Sequence, residues 1–292
     1  MDKYSNIFLT KHNSFQLEFF AYNFTSSYIS KKIYVRPFLT NETNVNKFPL
    51  DNEKISLISS AINNKYLSSF SSKRYSLYDI SFRDSDSIKS IGFCFNDIKD
   101  ITYIEPKQIF EHFNNYNILH ITDIINKTQK AIFPQRPNYN PVYMIGLVIE
   151  ESELTCLKSY IRFDLEEANT TEKRERFIEH IVKTFGSNSF KDSSAENFKQ
   201  LTQKLENLGF IFSFVGIDFY SNGTERFKLY YRLYEIVDSD LIIKEISTIL
   251  SQLGLYNNIK EIINQHYTGI WGIALSTKAF QDINGLQLYL YP

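Results

Sequence analysis

The chain has 292 residues, 43% of them hydrophobic, and its 32 basic and 33 acidic side chains almost cancel. This balance argues against a nucleic-acid-binding protein, which needs a net basic face, and no apolar run approaches the roughly 18 residues that span a bilayer. The two cysteines form no CxxC pair and the amino terminus is polar, without a secretory signal, which indicates a soluble protein of the reducing cytoplasm. Because no linker-like or charge-block segment interrupts it, we expect one domain over residues 1–292.

Residues 1–70 carry the weakest pattern of the chain. The apolar residues between positions 17 and 24 keep helical spacing, whereas Phe15, Leu17 and Phe19 alternate with polar residues as in a strand. We expect a helix in this segment.

Beyond residue 70 the chain reads as four hairpins, each made of two strand-like runs joined by a short polar turn. They span residues 74–97, 142–164, 211–235 and 269–291. The first is predicted to turn at residues 84–87 and the second at residues 150–153. The third turns at Ser221, Asn222 and Gly223, where Asn-Gly between apolar alternations is the strongest short hairpin signal.

Between the hairpins the apolar period changes from two residues to about 3.6, which predicts amphipathic helices. They are expected over residues 171–185, 194–208 and 241–253. Gly209 and Gly254 follow the last two as stop signals. Each helix has one apolar stripe and therefore needs one sheet to cover.

Three strands carry cations and tyrosines on the face opposite their apolar residues. These polar positions are Lys158, Tyr160 and Arg162, then Lys228, Tyr230 and Arg232, then Gln287, Tyr289 and Tyr291. Such a face could simply meet water, as one side of an antiparallel sheet often does. If the sheet closes into a barrel, the same face lines a lumen.

A lumen that combines fixed cations with aromatic walls suits the ionisation of an allylic diphosphate. Lysine and arginine stabilise the departing diphosphate. Tyrosine rings shield the allyl cation by cation–π attraction and exclude water that would quench it.

Several hairpin segments also carry specific motifs. Residues 216–223 read GIDFYSNG, 157–162 read LKSYIR, 79–83 read DISFR, and 271–278 read WGIALSTK, followed by LQLYLY at 286–291. Together they resemble the cyanobactin peptide prenyltransferases, a branch of the aromatic prenyltransferases built from repeated αββα units. The resemblance covers about residues 74–292.

This resemblance implies an α+β fold, an antiparallel ten-stranded barrel with helices outside, known as the PT barrel. It implies transfer of a dimethylallyl or geranyl group from its diphosphate to a nucleophilic side chain of a macrocyclic ribosomal peptide, by a monomer or homodimer. Mg²⁺ would assist, held through the diphosphate, because the chain lacks the Asp-rich DDxxD clusters of isoprenyl synthases. No protein ligand is assigned to the metal.

The resemblance and the strand parity together suggest roles for single residues. Asp79 lines up with a family position that carries a glutamate general base, and it shares strand parity with Ser81 and Arg83. The predicted diphosphate clamp comprises Lys158, Arg162, Lys228, Arg232 and Arg83. The predicted prenyl-shielding residues are Tyr160, Tyr230, Tyr289 and Tyr291. Asp218 is interpreted as structural.

The chain departs from the family pattern in two respects. Only four hairpins are visible where the family has five, and the missing one is expected between the third and the last. Residues 15–24 and 33–35 could close the ring beside the first hairpin, a second subunit could do so, or the barrel could stay open. Ser90 stands where the branch tends to carry an arginine, which makes the phosphate site less basic.

Two alternatives to a peptide prenyltransferase remain open. The same barrel could modify a small aromatic molecule, or it could be a peptide-binding protein that has lost catalysis. The retained cations argue against the second alternative, because a neutral peptide would not need them.

Overall fold

The computed structural model describes residues 15–37, 75–82, 88–96, 117–132, 142–150, 153–162, 192–223, 225–234, 239–263, 268–278 and 283–292, together with the single helical residues 172, 175 and 179. The strands in these ranges are β1 (Phe15–Phe24), β2 (Ile29–Pro37), β3 (Tyr75–Phe82), β4 (Ile88–Asn96), β5 (Val142–Glu150), β6 (Glu153–Arg162), β7 (Phe210–Tyr220), β8 (Glu225–Leu233), β9 (Gly269–Lys278) and β10 (Ile283–Tyr291). The helices with described bounds are α1 (Ile118–Ile132), α2 (Asp192–Asn207), α3 (Ser239–Gln252) and α4 (Ile259–Ile263).

The ten described strands form one closed antiparallel barrel. Each strand pairs with its neighbours in the chain, and the ring closes where β1 pairs with β10. Because every strand is paired on both sides, the described sheet has no open edge. The predicted α+β barrel is therefore confirmed, and the ring closes within one chain.

The amino-terminal hairpin corrects two expectations. Residues 17–24 belong to strand β1 and not to a helix. Phe19 and Ala21 face the lumen while Phe20 and Phe24 are buried on the opposite face, so both parities are apolar and the alternation typical of a strand is lost. The fifth hairpin is thus the first in the chain, and β8 pairs directly with β9, where the missing hairpin was expected.

The other four hairpins are confirmed close to their predicted bounds. In the third, Gly223 has a φ of 79° and donates its N–H to the Tyr220 carbonyl at 2.9 Å, as the Asn-Gly turn signal predicts. The predicted turn at residues 84–87 lies outside the described residues, and of the turn predicted at residues 150–153 the structure describes only the two ends, Glu150 and Glu153.

The helices cover the outer face of the barrel. In α2, the predicted stripe of Phe198, Leu201 and Leu205 is buried, and Gly209 follows the helix with a φ of 82°. The Thr202 hydroxyl of α2 lies 2.8 Å from the phenol oxygen of Tyr231, a fully buried side chain on the outer face of β8. The helix predicted over residues 171–185 lies mostly outside the described residues.

The apolar stripe of α3 is buried as well. Ile242, Ile246 and Ile249 of α3 are buried, in agreement with the predicted stripe. After α3, the Tyr256 N–H donates to the Thr25 carbonyl at 2.7 Å and so joins this segment to the β1–β2 turn. None of the described helices has the length and apolar character needed to cross a membrane.

Candidate active site in the barrel lumen

The lumen of the barrel has two chemically different halves. On β2, β6 and β8, the inward positions nearer the hairpin turns carry charges, and those farther from the turns carry aromatic rings. On β6 and β8, for example, Lys158 and Lys228 lie nearer the turns than Tyr160 and Tyr230. In the ladder Lys158 lies opposite Asp218, and Asp218 lies opposite Arg226. We call the charged half of the lumen the cationic level and the half with the rings the aromatic level.

Asp79 is the centre of the first charged cluster, which we call the Asp79 cluster. Its carboxylate is 1% exposed, and each oxygen receives one ammonium group: Lys32 Nζ lies 2.8 Å from Oδ1 and Lys158 Nζ 3.0 Å from Oδ2. Burial raises the pKa of Asp79, but Lys158 and Lys32 outweigh it and hold the pKa well below its usual range. Asp79 is therefore an ionised carboxylate without water contact.

Lys158 reaches Asp79 from the far side of two strands, because β4 and β5 lie between β6 and β3. The residues opposite the pair in the ladder are glycines, Gly92 beside Asp79 and Gly146 beside Lys158. A Cβ on Gly92 would overlap the Asp79 carboxylate, so this glycine is what allows the carboxylate to lie against β4. Because Gly92 and Gly146 have no side chains, the Lys158 side chain can extend over β5 and β4 and contact Asp79.

Asp218 is the centre of the second cluster, the Asp218 cluster. Its Oδ2 accepts from Arg226 Nη2 at 2.6 Å and Nε at 3.0 Å, and Lys228 Nζ lies 3.3 Å away. Burial raises the pKa of Asp218, but Lys228 and Arg226 hold it well below its usual range. Burial and the neighbouring Arg226 lower the pKa of Lys228 to about 7. Among the described residues, Asp218 Oδ1 has no hydrogen-bond partner.

The two clusters meet at Lys158, which lies opposite Asp218 in the ladder. Burial lowers the pKa of Lys158, but Asp79 and Asp218 outweigh it and raise the pKa well above its usual range. Four cationic side chains thus surround two carboxylates, an excess of two positive charges when all are ionised. The cationic level is suited to bind an anion that carries more than one charge.

The aromatic level lies directly beside these charges. The rings of Tyr160 and Tyr230 are 5.8 Å apart between centroids, and Tyr289 follows 6.1 Å from Tyr230. Phe19 stacks on Tyr34 at 4.6 Å and on Trp271 at 5.4 Å. These rings are buried or nearly so, and they present aromatic faces and edges to the lumen.

A further glycine makes this ring packing possible. Gly216 lies on β7 between Tyr160 and Tyr230, and a Cβ there would come within 2.8 Å of the Tyr230 ring. Because Gly216 has no side chain, the two tyrosines meet above its backbone. Gly216 therefore allows the two tyrosine rings to pack together, just as Gly92 allows the Asp79 carboxylate to lie against β4.

The structure brings most of the predicted site residues together. Asp79, Lys158, Lys228, Tyr160, Tyr230 and Tyr289 all lie in the lumen and are all buried. Arg232 lies farther along β8, with its guanidinium 5.2 Å from the Trp271 ring and separated from the Asp218 cluster by Tyr230. Tyr291, at the end of β10, is 42% exposed and lies outside the aromatic level. For Arg162 only the backbone, opposite Phe214, is described, and Arg83 lies outside the described residues.

Sequence reasoning missed several residues of the lumen. Arg226 shares the parity of Lys228 two positions away, so the alternation of β8 could have revealed it. Lys32 and Tyr34 lie on β2, in the segment whose strand pattern was not recognised. Asp218 was interpreted as structural. In the structure it contacts Arg226 and Lys228 within the lumen, and so belongs to the candidate site.

The donor set of the lumen does not fit a metal ion held by the protein. Among the described residues, no group of three or more His, Cys, Asp or Glu side chains is arranged to hold one. The two lumen carboxylates are each neutralised by two cations, which would repel a further cation.

The closed barrel and its polarised lumen define the architecture: the chain has the PT-barrel fold. Among solved structures, AnaPT from Neosartorya fischeri matches with a TM-score of 0.62 and 11% identity, over 94% of this chain and 78% of that chain. A 6-dimethylallyltryptophan synthase from Micromonospora olivasterospora, in complex with DMASPP and Trp, matches with a TM-score of 0.53 and 9% identity, over 94% of this chain and 81% of that chain. A further 6-dimethylallyl tryptophan synthase structure has a TM-score of 0.53 at 10% identity, over 94% of this chain and 80% of that chain. No protein-family model and no curated protein matches the sequence.

Proposed function

We propose that the chain is a prenyltransferase that moves a dimethylallyl or geranyl group from its diphosphate to a nucleophilic acceptor inside the barrel. The observation that carries this proposal is the contact between two levels of the lumen, buried cations beside stacked tyrosines. A water-filled channel or a neutral ligand site would need neither the charge excess nor the ring wall.

In the proposed reaction the diphosphate binds at the cationic level, on Lys158, Lys228 and Arg226. The allylic C–O bond breaks, and its electron pair leaves with the diphosphate, whose growing charge these cations stabilise. The allyl cation is then surrounded by Tyr160, Tyr230 and Tyr289, whose rings attract it and exclude water.

The acceptor attacks the allyl cation with an electron pair of its nucleophilic atom, forming the new bond to the prenyl carbon. The proton that this atom loses passes to the carboxylate of Asp79, which lies in the lumen beside Lys158. The diphosphate departs with the electron pair of the broken bond, so charges and atoms balance.

For the acceptor we propose a side chain of a macrocyclic ribosomal peptide, supported by the motifs GIDFYSNG and LKSYIR. A small aromatic molecule is the second candidate. It is favoured by the 6-dimethylallyltryptophan synthase of similar fold, which was crystallised with DMASPP and Trp. The cation excess argues against a barrel that merely binds a neutral peptide.

Mg²⁺ would enter this reaction only through the diphosphate, whose charge it would neutralise. Since the lumen residues do not fit a protein-held metal, no step above depends on one. We expect transfer to persist, at a changed rate, after EDTA treatment.

One assay tests the proposal. The protein is incubated with dimethylallyl or geranyl diphosphate, with Mg²⁺ or EDTA, and with cyclic peptides, free tryptophan or a phenol, and the products are analysed by mass for an added C5 or C10 unit. Lys158→Met should abolish the product, and Lys89→Met, at an exposed lysine, is the matched control. Products from tryptophan or the phenol alone would select the second candidate, and no product from any combination would contradict prenyl transfer.

A further inference from the structure

The Asp79 carboxylate is fully engaged in the structure. Lys32 occupies Oδ1 and Lys158 occupies Oδ2, and the side chain is 1% exposed. A general base must come within hydrogen-bond reach of the proton it takes. With both oxygens bound by ammonium groups, Asp79 has no free oxygen aimed at an acceptor.

The two lysines are not equivalent. Lys158 is 4% exposed, lies opposite Asp218 and belongs to the cationic level that would receive a diphosphate. Lys32 is 21% exposed and lies on β2, opposite Ser81, with β3, β4 and β5 between it and the strand of Lys158. A diphosphate held by Lys228 and Arg226 therefore meets Lys158, which lies opposite Asp218, and competes with Asp79 for it.

We propose that donor binding uncovers the base: the diphosphate draws Lys158 away from Asp79 Oδ2, while Lys32 keeps Oδ1 and holds the carboxylate in position. This inference rests on the proposed function, since it takes the diphosphate as the ligand of the cationic level. Lys32 is then a positioning residue of the reaction, and the donor must bind before the acceptor can lose its proton.

The surroundings of Asp79 support such an exchange. The groups that face it from other strands, besides the two lysines, are Tyr34 of β2, Cys94 of β4 and Tyr289 of β10. Burial raises the pKa of Cys94 to about 11 and the pKa of both tyrosines well above the usual range, so these groups stay neutral. The electrostatics at Asp79 are therefore set by the two lysines, and loss of one of them changes its basicity.

The first test follows the carboxyl carbon of Asp79 by NMR in protein labelled with ¹³C at the aspartate carboxyl, assigned with Asp79→Asn. Saturation with inorganic diphosphate should shift this resonance and raise the pH at which it titrates. In Lys158→Met the titration should already be raised, and diphosphate should cause no further change. Lys89→Met, the same substitution at an exposed lysine, should respond as the wild type does.

The outcomes separate this inference from the proposed function. Diphosphate that binds without moving the Asp79 resonance would overturn the exchange alone. Diphosphate that does not bind would overturn the anion site of the proposed function, and with it this inference. Neither outcome requires an active enzyme or a known acceptor.

The second test concerns Lys32. Lys32→Met should lower kcat roughly 10- to 100-fold, the effect of one charge-assisted hydrogen bond, with little change in KM for the donor. The acid limb of the kcat profile should move to higher pH, and Lys32→Arg should restore most of the rate. A rise in donor KM without a change in kcat would make Lys32 a diphosphate ligand and contradict its role as a positioning residue.

Discussion

Asp79 and Asp218 are both buried lumen carboxylates neutralised by two cations, yet their clusters are built differently. The partners of Asp79 come from β2 and β6, and each takes a separate oxygen. The partners of Asp218 both come from the adjacent strand β8 and share Oδ2. The Asp218 cluster is thus a local product of one hairpin, whereas the Asp79 cluster needs Lys158 from β6, with β4 and β5 between.

This difference separates two uses of a buried charge. A carboxylate held by its own hairpin can fix the geometry of the cations beside it. A carboxylate whose partner comes from a distant strand depends on a side chain that a bound ligand can also contact. The charges around that carboxylate therefore change when the ligand binds. We therefore expect Asp79 to dominate activity and Asp218 to affect mainly the cations.

The largest expected effect is that of Asp79→Asn. Loss of the base should lower turnover roughly 10²- to 10⁴-fold. Because Lys158 is left buried without its main partner, the free energy of unfolding should also fall by about 3–5 kcal/mol, measured by urea denaturation. Adding Lys158→Met should recover stability. If Asp79→Asn lost stability but kept its turnover, Asp79 would be a structural residue.

Asp218→Asn should have a smaller effect on stability, about 1.5–3 kcal/mol, the range for hydrogen bonds to charged groups. Arg226 is 32% exposed and can turn its charge toward water when the carboxylate is lost. The measurement is the same urea denaturation, beside Asp79→Asn. A loss as large as that of Asp79→Asn would contradict the distinction between a local and a long-range cluster.

Gly216→Ala tests the close packing of Tyr160 and Tyr230 beside Gly216. A Cβ would lie 2.8 Å from the Tyr230 ring and 3.4 Å from the Tyr160 ring, and overpacking of this kind costs about 1–3 kcal/mol. The displaced rings should also admit water, so more donor is hydrolysed for each prenyl group transferred. Gly269→Ala is the matched control, since its nearest side-chain atom would be 3.7 Å away. Equal product ratios in the two variants would exclude a shielding role for this ring pair.

The pH dependence of diphosphate binding tests the Asp218 cluster. The pKa of Lys228 is about 7 in the free site, so above pH 7 the free ammonium loses its proton, whereas a bound anion favours the charged form. Binding above pH 7 therefore takes up a proton, and affinity for inorganic diphosphate should fall as pH rises, by up to about tenfold per pH unit. Calorimetry of the wild type against Lys228→Arg, which keeps its charge, measures this fall. An identical pH profile for both proteins would rule out Lys228 as the titrating group.

Sequence alone predicted the parts of the fold in which local signals agree. The Asn-Gly turn before β8, the alternation of Lys228 and Tyr230, and the apolar stripe of α2 all led to correct elements. Strand β1 could not be read in the same way, since it is buried on both faces and its apolar residues take helical spacing by chance.

The candidate site was predictable to a similar degree. Parity assigned Lys158, Lys228, Tyr160, Tyr230 and Tyr289 to the inner face, because side-chain alternation is a local property. The pairing of Asp79 with Lys32 and Lys158 was beyond sequence reasoning, because β2 was not recognised as the neighbour of β3 and because Lys158 reaches across β4 and β5, past Gly92 and Gly146.

The closure of the ring by β1 and β10 has a consequence for folding. The strand that seals the barrel is the last of the described strands to leave the ribosome, and its partner is the first. Until then, β1 and β9 expose unpaired backbone groups that can pair with another chain. Contacts between such distant segments also slow folding. The protein should therefore fold late and depend on protection from aggregation during synthesis.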